Sequence, residues 1–311
     1  MRARHLFVLM LYISIAFVIT FYILSLKYPH ASAFSYKTCK ASYDTKNDLF
    51  ANLLNAGEDN VASASESIKT APKGKAARIP VLMYHYVVPE KYNVEKKNNA
   101  RMSLESFTRG MKYLHDNGYK TATLSELEQY VNGEIQLPEK TVVLTFDDGY
   151  QNNVIYAYPV LKKYGFHASI FIVGTKLKSK TQKFLPKEKT TISRQEMKAT
   201  KDVFEYNSHT YNLHYKNTIQ CGDTAAVGLE NDRLKNDIEL MKTKTKIDTP
   251  YFAYPYGEYQ DQMIYTLREN GYRMAFTVRP GFVHPGDDLM HLSRMNVNSH
   301  TELKHILHLK D

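Results

Sequence analysis

The sequence predicts an α/β fold: a distorted (β/α) barrel of seven strands, a single catalytic domain behind an N-terminal membrane segment and a linker. Three observations lead there. Past residue 78, apolar β-branched runs alternate with amphipathic helical patterns, the arrangement of a parallel sheet. The candidate strands number seven. The polar residues able to do chemistry gather just after the C-terminal ends of those strands, the face on which barrels build their sites.

The chain has 311 residues and opens with Arg2 and Arg4 before an almost uncharged apolar stretch, Leu6 to Leu26. That is about the length needed to cross a bilayer. The early arginines would stay in the cytoplasm and the remainder would lie outside. A cleavable signal peptide competes, because Ala31-Ser32-Ala33 has the small-x-small form of a cleavage site, but the apolar region is long for such a signal. Either choice puts the catalytic domain on the extracellular face, anchored or cell-surface associated. Residues 1–30 are thus assigned to an anchor or signal, 31–77 to a flexible linker and 78–311 to the catalytic domain. The linker is rich in Ser, Ala, Asn, Lys and Asp, with one short helical pattern from Asp48 to Leu54. Such composition favours a mobile stalk.

The candidate strands are Ile79–His85, Thr141–Phe146, Ala168–Val173, Val203–Ser208, Tyr251–Ala253, Met274–Val278 and Leu292–Val297. Ser103 is the expected N-cap of a helix through His115, stopped by Asn117-Gly118. Thr123-Leu124-Ser125-Glu126 has the capping-box form. Helices are also expected over Asn153–Tyr164, Glu230–Lys246 and Asp261–Asn270, the first and last ended by Gly165 and Gly271. A Lys-rich loop runs from about Lys176 to Thr191 and reads as solvated, with cleft covering or polymer binding as the sharper alternative.

Composition narrows the function. A hydrophobic content of 43% supports a sizeable core. The net charge of +9 suits an anionic envelope surface, but no aromatic-basic pattern argues for nucleic acid. Cys39 and Cys221 are too few and too far apart for a disulfide framework or a zinc–thiolate site.

Four segments carry the chemistry. Thr145-Phe146-Asp147-Asp148-Gly149-Tyr150 follows a buried strand. Neighbouring residues on a strand point to opposite faces, so two adjacent carboxylates converge only if the strand ends there, which Gly149 permits. One can then hold a metal while the other stays free as a general base. The competing reading is a solvated turn. Ser208-His209-Thr210-Tyr211-Asn212-Leu213-His214 brings two histidines at a spacing of five, unsuited to one helix face but suited to a loop wrapped round an ion. With an Asp as third ligand, such a site keeps an open position. Phe252-Ala253-Tyr254-Pro255-Tyr256-Gly257 ends a strand in a turn, and Pro80-Val81-Leu82-Met83-Tyr84-His85 ends one in a histidine. Alone, these two would be a turn signal and a core histidine.

Together these segments resemble the polysaccharide deacetylase family, the NodB-homology or carbohydrate esterase family 4 group, over roughly residues 78 to 300. The combination of Phe-Asp-Asp-Gly with Ser-His-Thr-x-x-Leu-His is specific. The resemblance is strongest to the branch acting on poly-β-1,6-N-acetylglucosamine, the biofilm exopolysaccharide. In that branch a Tyr-His strand supplies the acid, here Tyr84-His85. The sequence also departs from the wider family: no Arg precedes the Pro-aromatic-Gly turn, and with no tryptophan the late Asp-Trp motif is missing. The resemblance implies a deformed (β/α)7 barrel.

It further implies that Asp148, His209 and His214 hold a divalent metal, zinc being expected, and that Asp147 is the base. His85 would protonate the departing nitrogen and the Tyr256 N–H would stabilise the oxyanion. Arg294, in Ser293-Arg294-Met295, is a candidate tether for Asp147 in place of the missing Arg, set against a surface strand-end arginine. The expected partners are an extracellular N-acetylglucosamine polysaccharide, the membrane, and the polysaccharide synthase or export machinery. Deacetylation of peptidoglycan is the nearest rival activity, and acetylxylan esterase fits the motifs less well. A noncatalytic sugar-binding module would lose a ligand or the base. A glycosidase would need carboxylates roughly 5 Å or more apart across the bond and would leave the histidines without a role.

Overall fold

The computed structural model describes residues 72–216 and 231–309, all within one compact unit. The apolar stretch Leu6–Leu26, both cysteines and the linker up to residue 71 lie outside the described residues. Among the described residues, no helix is long and apolar enough to cross a membrane. Residues 72–77, expected in the linker, pack against the domain. Ala76 is buried, its N–H donates to Leu137 O at 2.9 Å and its carbonyl accepts from the Tyr130 hydroxyl.

In chain order the strands are β1 (Ile79–Tyr84), β2 (Tyr86–Val88), β3 (Arg101–Ser103), β4 (Lys120–Thr121), β5 (Thr141–Phe146) and β6 (Ala168–Ile172), then β7 (Phe204–Ser208), β8 (Tyr251–Ala253), β9 (Met274–Phe276), β10 (Phe282–Val283) and β11 (Met295–Asn296). The main sheet runs β10-β1-β5-β6-β7-β8-β9, with β11 also pairing β1 and β4 pairing β5. Every pairing in it is parallel except β1 with β10. The result is a curled mixed sheet with helices, a half-barrel, where the sequence suggested a wholly parallel barrel. The expected last strand, Leu292–Val297, changes neighbours midway. Leu292 bridges to Phe276, the Arg294 N–H goes to Arg279 O, and only then does Met295 pair with Leu82. A segment that divides its hydrogen bonds this way is a seam rather than a regular ladder.

The long strands form because both faces are buried. Leu82, Tyr84, Leu144, Phe146 and Ile170 join one buried cluster with Phe107, Met111 and Leu161, whereas Val81, Val143, Phe171, Ala253 and Phe276 join a second with Leu124, Leu127 and Val131. This is the near-continuous apolar pattern of parallel strands. The helices start where their caps dictate. The Ser103 side chain accepts from Ser106 N at the head of Leu104–Asp116, and Thr123 and Glu126 form a reciprocal capping box before Leu124–Val131. Expected helix Asn153–Tyr164 divides into a π turn, Asn153–Ala157, and an α segment ended by Gly165 in the left-handed region. Expected helix Glu230–Lys246 appears as Asn231–Leu240 followed by a second π turn. Such turns widen the helix by one residue and recur near functional sites.

Candidate active site at the C-terminal ends of the strands

The Asp-Asp pair sits where β5 ends. The Asp147 N–H donates to Tyr84 O at 2.9 Å, which ties the exit of β5 to that of β1. Asp148 and Gly149 then take φ of 71° and 68°. Two successive left-handed residues reverse the chain, so the two carboxylates no longer diverge as on a strand. Gly149 is required there for a second reason: a Cβ would lie 2.7 Å from Ile172 Cδ1. Among the described residues four non-glycines have positive φ, and three of them, Asp148, Thr210 and Tyr256, lie at this site. Backbone strain of this kind costs of order 1–3 kcal/mol per residue and persists where the surroundings enforce it.

Asp147 is buried and held by Arg294. The guanidinium donates from Nη1 to Oδ1 at 2.7 Å and from Nη2 to Oδ2 at 2.8 Å. Its Nε donates to Thr277 O at 2.9 Å. Arg294 has no exposed surface, and its guanidinium carbon lies 5.6 and 5.8 Å from the ring centres of Phe171 and Phe276. Burial alone would raise the Asp147 carboxyl. The charge of Arg294, aided by His209 and His85, wins and holds it well below the usual carboxylate range. His85 Nε2 stands 3.8 Å from Asp147 Oδ2, and His85 Nδ1 is buried without a partner.

On the other side of the turn, Asp148, His209 and His214 offer ligand atoms that all lie within 4.8 Å of one another. His209 follows β7, and its Nδ1 sits 2.7 Å from Ala253 O. A carbonyl only accepts, so Nδ1 carries the proton and Nε2 presents its lone pair to the cluster. Burial, helped by neighbouring His214, lowers His209 from 6.5 to about 4, so the ring is neutral near pH 7. Burial lowers His214 as well, against the pull of Asp148. Burial opposes ionisation of Asp148, but His214 and His209 overcome it and lower its carboxyl. His214 Nε2 is 3.2 Å from Asp148 Oδ1, an oxygen buried without a hydrogen-bond partner. Two neutral imidazoles and an ionised carboxylate with an orphaned oxygen fit a divalent cation that accepts nitrogen and oxygen ligands.

Tyr256 lies on the turn Pro255–Gly257, and its ring is 4.8 Å from that of His214. The 176–191 loop borders the same turn as the two aspartates. Ile192 N donates to Gly149 O, Gln151 N to Thr190 O, and the Tyr86 hydroxyl to Glu188 O. All seven residues singled out from the sequence, His85, Asp147, Asp148, His209, His214, Tyr256 and Arg294, therefore belong to one end of the sheet. Two neighbours were given no role from the sequence. Thr145 Oγ1 lies 3.4 Å from Arg294 Nη1, and Asp237 accepts from the loop between the histidines.

Residues 134–275 match the family model described as polysaccharide deacetylase. The chain carries a polysaccharide deacetylase domain. It is a hydrolase acting on amide bonds. The deacetylase is 29% identical over 225 residues to the Bacillus subtilis protein YxkH, itself a polysaccharide deacetylase by name, covering 72% of this chain and 73% of that one. It is 28% identical over 223 residues to the poly-beta-1,6-N-acetyl-D-glucosamine N-deacetylase of Escherichia coli, covering 62% of this chain but 33% of that longer protein. Among solved structures, IcaB from Ammonifex degensii superposes with a TM-score of 0.61 at 29% identity, covering 72% of this chain and 93% of that one.

Proposed function

We propose that this protein removes N-acetyl groups from N-acetylglucosamine units of an extracellular polysaccharide, with poly-β-1,6-N-acetylglucosamine as the substrate. The observation that carries the reading is the division of labour between adjacent carboxylates. Asp147 is bound to Arg294 and faces His85, while Asp148 faces two neutral histidines. The E. coli relative's name supports the choice of polymer. We read the seam from Leu292 to Asn296 as the closure of a deformed (β/α)7 barrel.

In this mechanism Asp148, His209 and His214 hold a divalent cation, which when bound supplies Lewis-acid polarisation of the acetamide carbonyl and acidifies water at the site. Asp147, ionised throughout the working pH range, takes the proton of the attacking water. Arg294 fixes both oxygens of that carboxylate, so the base is aimed rather than free to rotate. The Tyr256 N–H is assigned to the charge that develops on the carbonyl oxygen, a role supported by the Tyr256 ring lying 4.8 Å from that of His214. His85 gives a proton to the sugar nitrogen as the C–N bond breaks, and acetate and a glucosamine amine result. The amine is cationic near neutral pH, so a neutral polymer becomes one that adheres to anionic surfaces.

The stretch Leu6–Leu26 supports a membrane anchor and hence action at the extracellular face, beside the machinery that makes or exports the polymer. The test is acetate release from β-1,6-linked N-acetylglucosamine oligomers, run beside chitin and peptidoglycan fragments. Release confined to the β-1,6 oligomers supports the reading. Release from peptidoglycan fragments alone keeps the chemistry and replaces the substrate. Shortened chains without acetate overturn both.

A further inference from the structure

We propose that Asp237, carried by the helix Asn231–Leu240, is a positioning residue for the metal cluster, its carboxylate fixing the turn between the two histidines. This rests on the reading of Asp148, His209 and His214 as a metal site. The turn has a demanding task. It must leave β7, reverse, and set the two imidazole rings 4.6 Å apart. Thr210 takes φ of 67°, and the N–H groups of Tyr211 and Asn212 then point the same way. Successive N–H groups following a left-handed residue make a cradle for an anion. Here the chain supplies its own: Asp237 Oδ2 accepts from Tyr211 N at 2.7 Å, and Oδ1 accepts from Asn212 N at 2.8 Å.

The arrangement comes at a cost. Asp237 is 5% exposed, and no cation among the described residues acts on it, only burial and those two N–H groups. A buried carboxylate without a counter-charge is unfavourable. Retaining one where a neutral cap would serve a helix or turn equally well points to a need for both oxygens at once. The rest of the turn is locked as well. Leu213 N donates to Thr210 Oγ1 at 3.2 Å. Gly174 N and Thr175 N donate to Thr210 O and Tyr211 O at 3.0 and 2.8 Å. Gly174 is needed there, since a Cβ would lie 2.4 Å from Tyr211 Cδ2. Asp237 is the side chain that ties this turn to a separate helix, 25 and 26 positions along the chain.

The Asp237→Asn variant keeps the size and one acceptor oxygen, but sets an NH2 against the second N–H, so one of the two bonds is lost. Zinc and cobalt(II) are the probes. Affinity is measured by competition with a chromophoric chelator on the full chain, for wild type, Asp237→Asn, Asp237→Ala and Asp148→Ala. Wild type is expected to bind one ion. Asp237→Asn should weaken binding by about 10- to 100-fold, the range for partners that orient metal ligands, and should shift the cobalt absorption bands. Its unfolding in chelator should remain cooperative, and excess zinc should restore turnover with KM unchanged. A role confined to stability would lower Tm and leave metal affinity and the cobalt spectrum untouched, and that result overturns the proposal. If Asp237→Ala fails to fold, Asp237→Asn still decides. Zinc binding that survives Asp148→Ala unchanged overturns the metal reading itself, and this assignment with it.

Discussion

Among the described residues, two arginine–carboxylate forks lie at opposite ends of the strands. At the C-terminal end Arg294 grips Asp147 with bonds of 2.7 and 2.8 Å, and both side chains are essentially without exposed surface. At the N-terminal end Arg273 grips Glu128 with bonds of 2.6 and 2.9 Å, but the arginine side chain is 59% exposed. The chemistry is the same and the surroundings differ. Around Glu128 the bonding is complete, with the Tyr251 hydroxyl as a further donor. Around Asp147 it is not: His85 Nδ1 and Asp148 Oδ1 are buried without hydrogen-bond partners, and the backbone is strained at Asp148, Thr210 and Tyr256. A saturated fork serves stability. A buried fork beside unsatisfied groups and strained turns is poised for a substrate and an ion.

Removing one partner from each fork should separate them most clearly. Arg294→Met leaves Asp147 buried and uncompensated, which costs about 3–5 kcal/mol and abolishes turnover; chemical denaturation and acetate assays measure both. An Arg294→Met protein as stable and active as wild type would remove the distinction. Gly149→Ala attacks the strained turn. The left-handed conformation alone costs about 1–2 kcal/mol, and the new Cβ must displace Ile172 Cδ1, so turnover should fall with a moderate loss of Tm. Acid sharpens the comparison further. His209 is depressed from 6.5 to about 4, so the folded state resists its protonation. That contribution is present above pH 6.5 and is lost as pH falls towards 4. The metal-free protein should lose stability across this window, and His209→Gln should flatten the loss in thermal melts. Arg273→Ala should have the smallest effect on turnover: it strips the counter-charge from Glu128, which is buried but keeps the Tyr251 hydroxyl, so Tm should fall by less than in Arg294→Met, with kcat unchanged.

Much of the fold was legible because burial on both faces writes itself as uninterrupted apolar runs, as in Thr141–Phe146. The Thr123–Glu126 box was legible because capping is local chemistry. The matching box of Ser193 and Glu196 escaped notice because its helix, Arg194–Ala199, is too short to show a period. Strands β2 and β3, three residues each, were hidden for the same reason. The antiparallel β10 has two residues, which no alternation can announce. At the site, the residues that carry charge in a turn or at a strand end stood out. Arg294 was visible as a candidate, but its full burial depends on Phe171 and Phe276, which are distant in sequence. Asp237 sits in a charged helix and reads there as one more solvated carboxylate. Only the path of the 210–213 backbone reveals what it holds.

The most direct test is to split the two adjacent aspartates. Asp147→Asn and Asp148→Asn proteins are dialysed against zinc, their bound metal is quantified, and acetate release from β-1,6-linked N-acetylglucosamine oligomers is followed. Asp147→Asn should retain metal and lose about 10²- to 10⁴-fold in rate, the range for a positioned base, whereas Asp148→Asn should lose both metal and rate. Loss of metal in Asp147→Asn, or full metal retention in Asp148→Asn, would contradict the division of roles on which the mechanism stands.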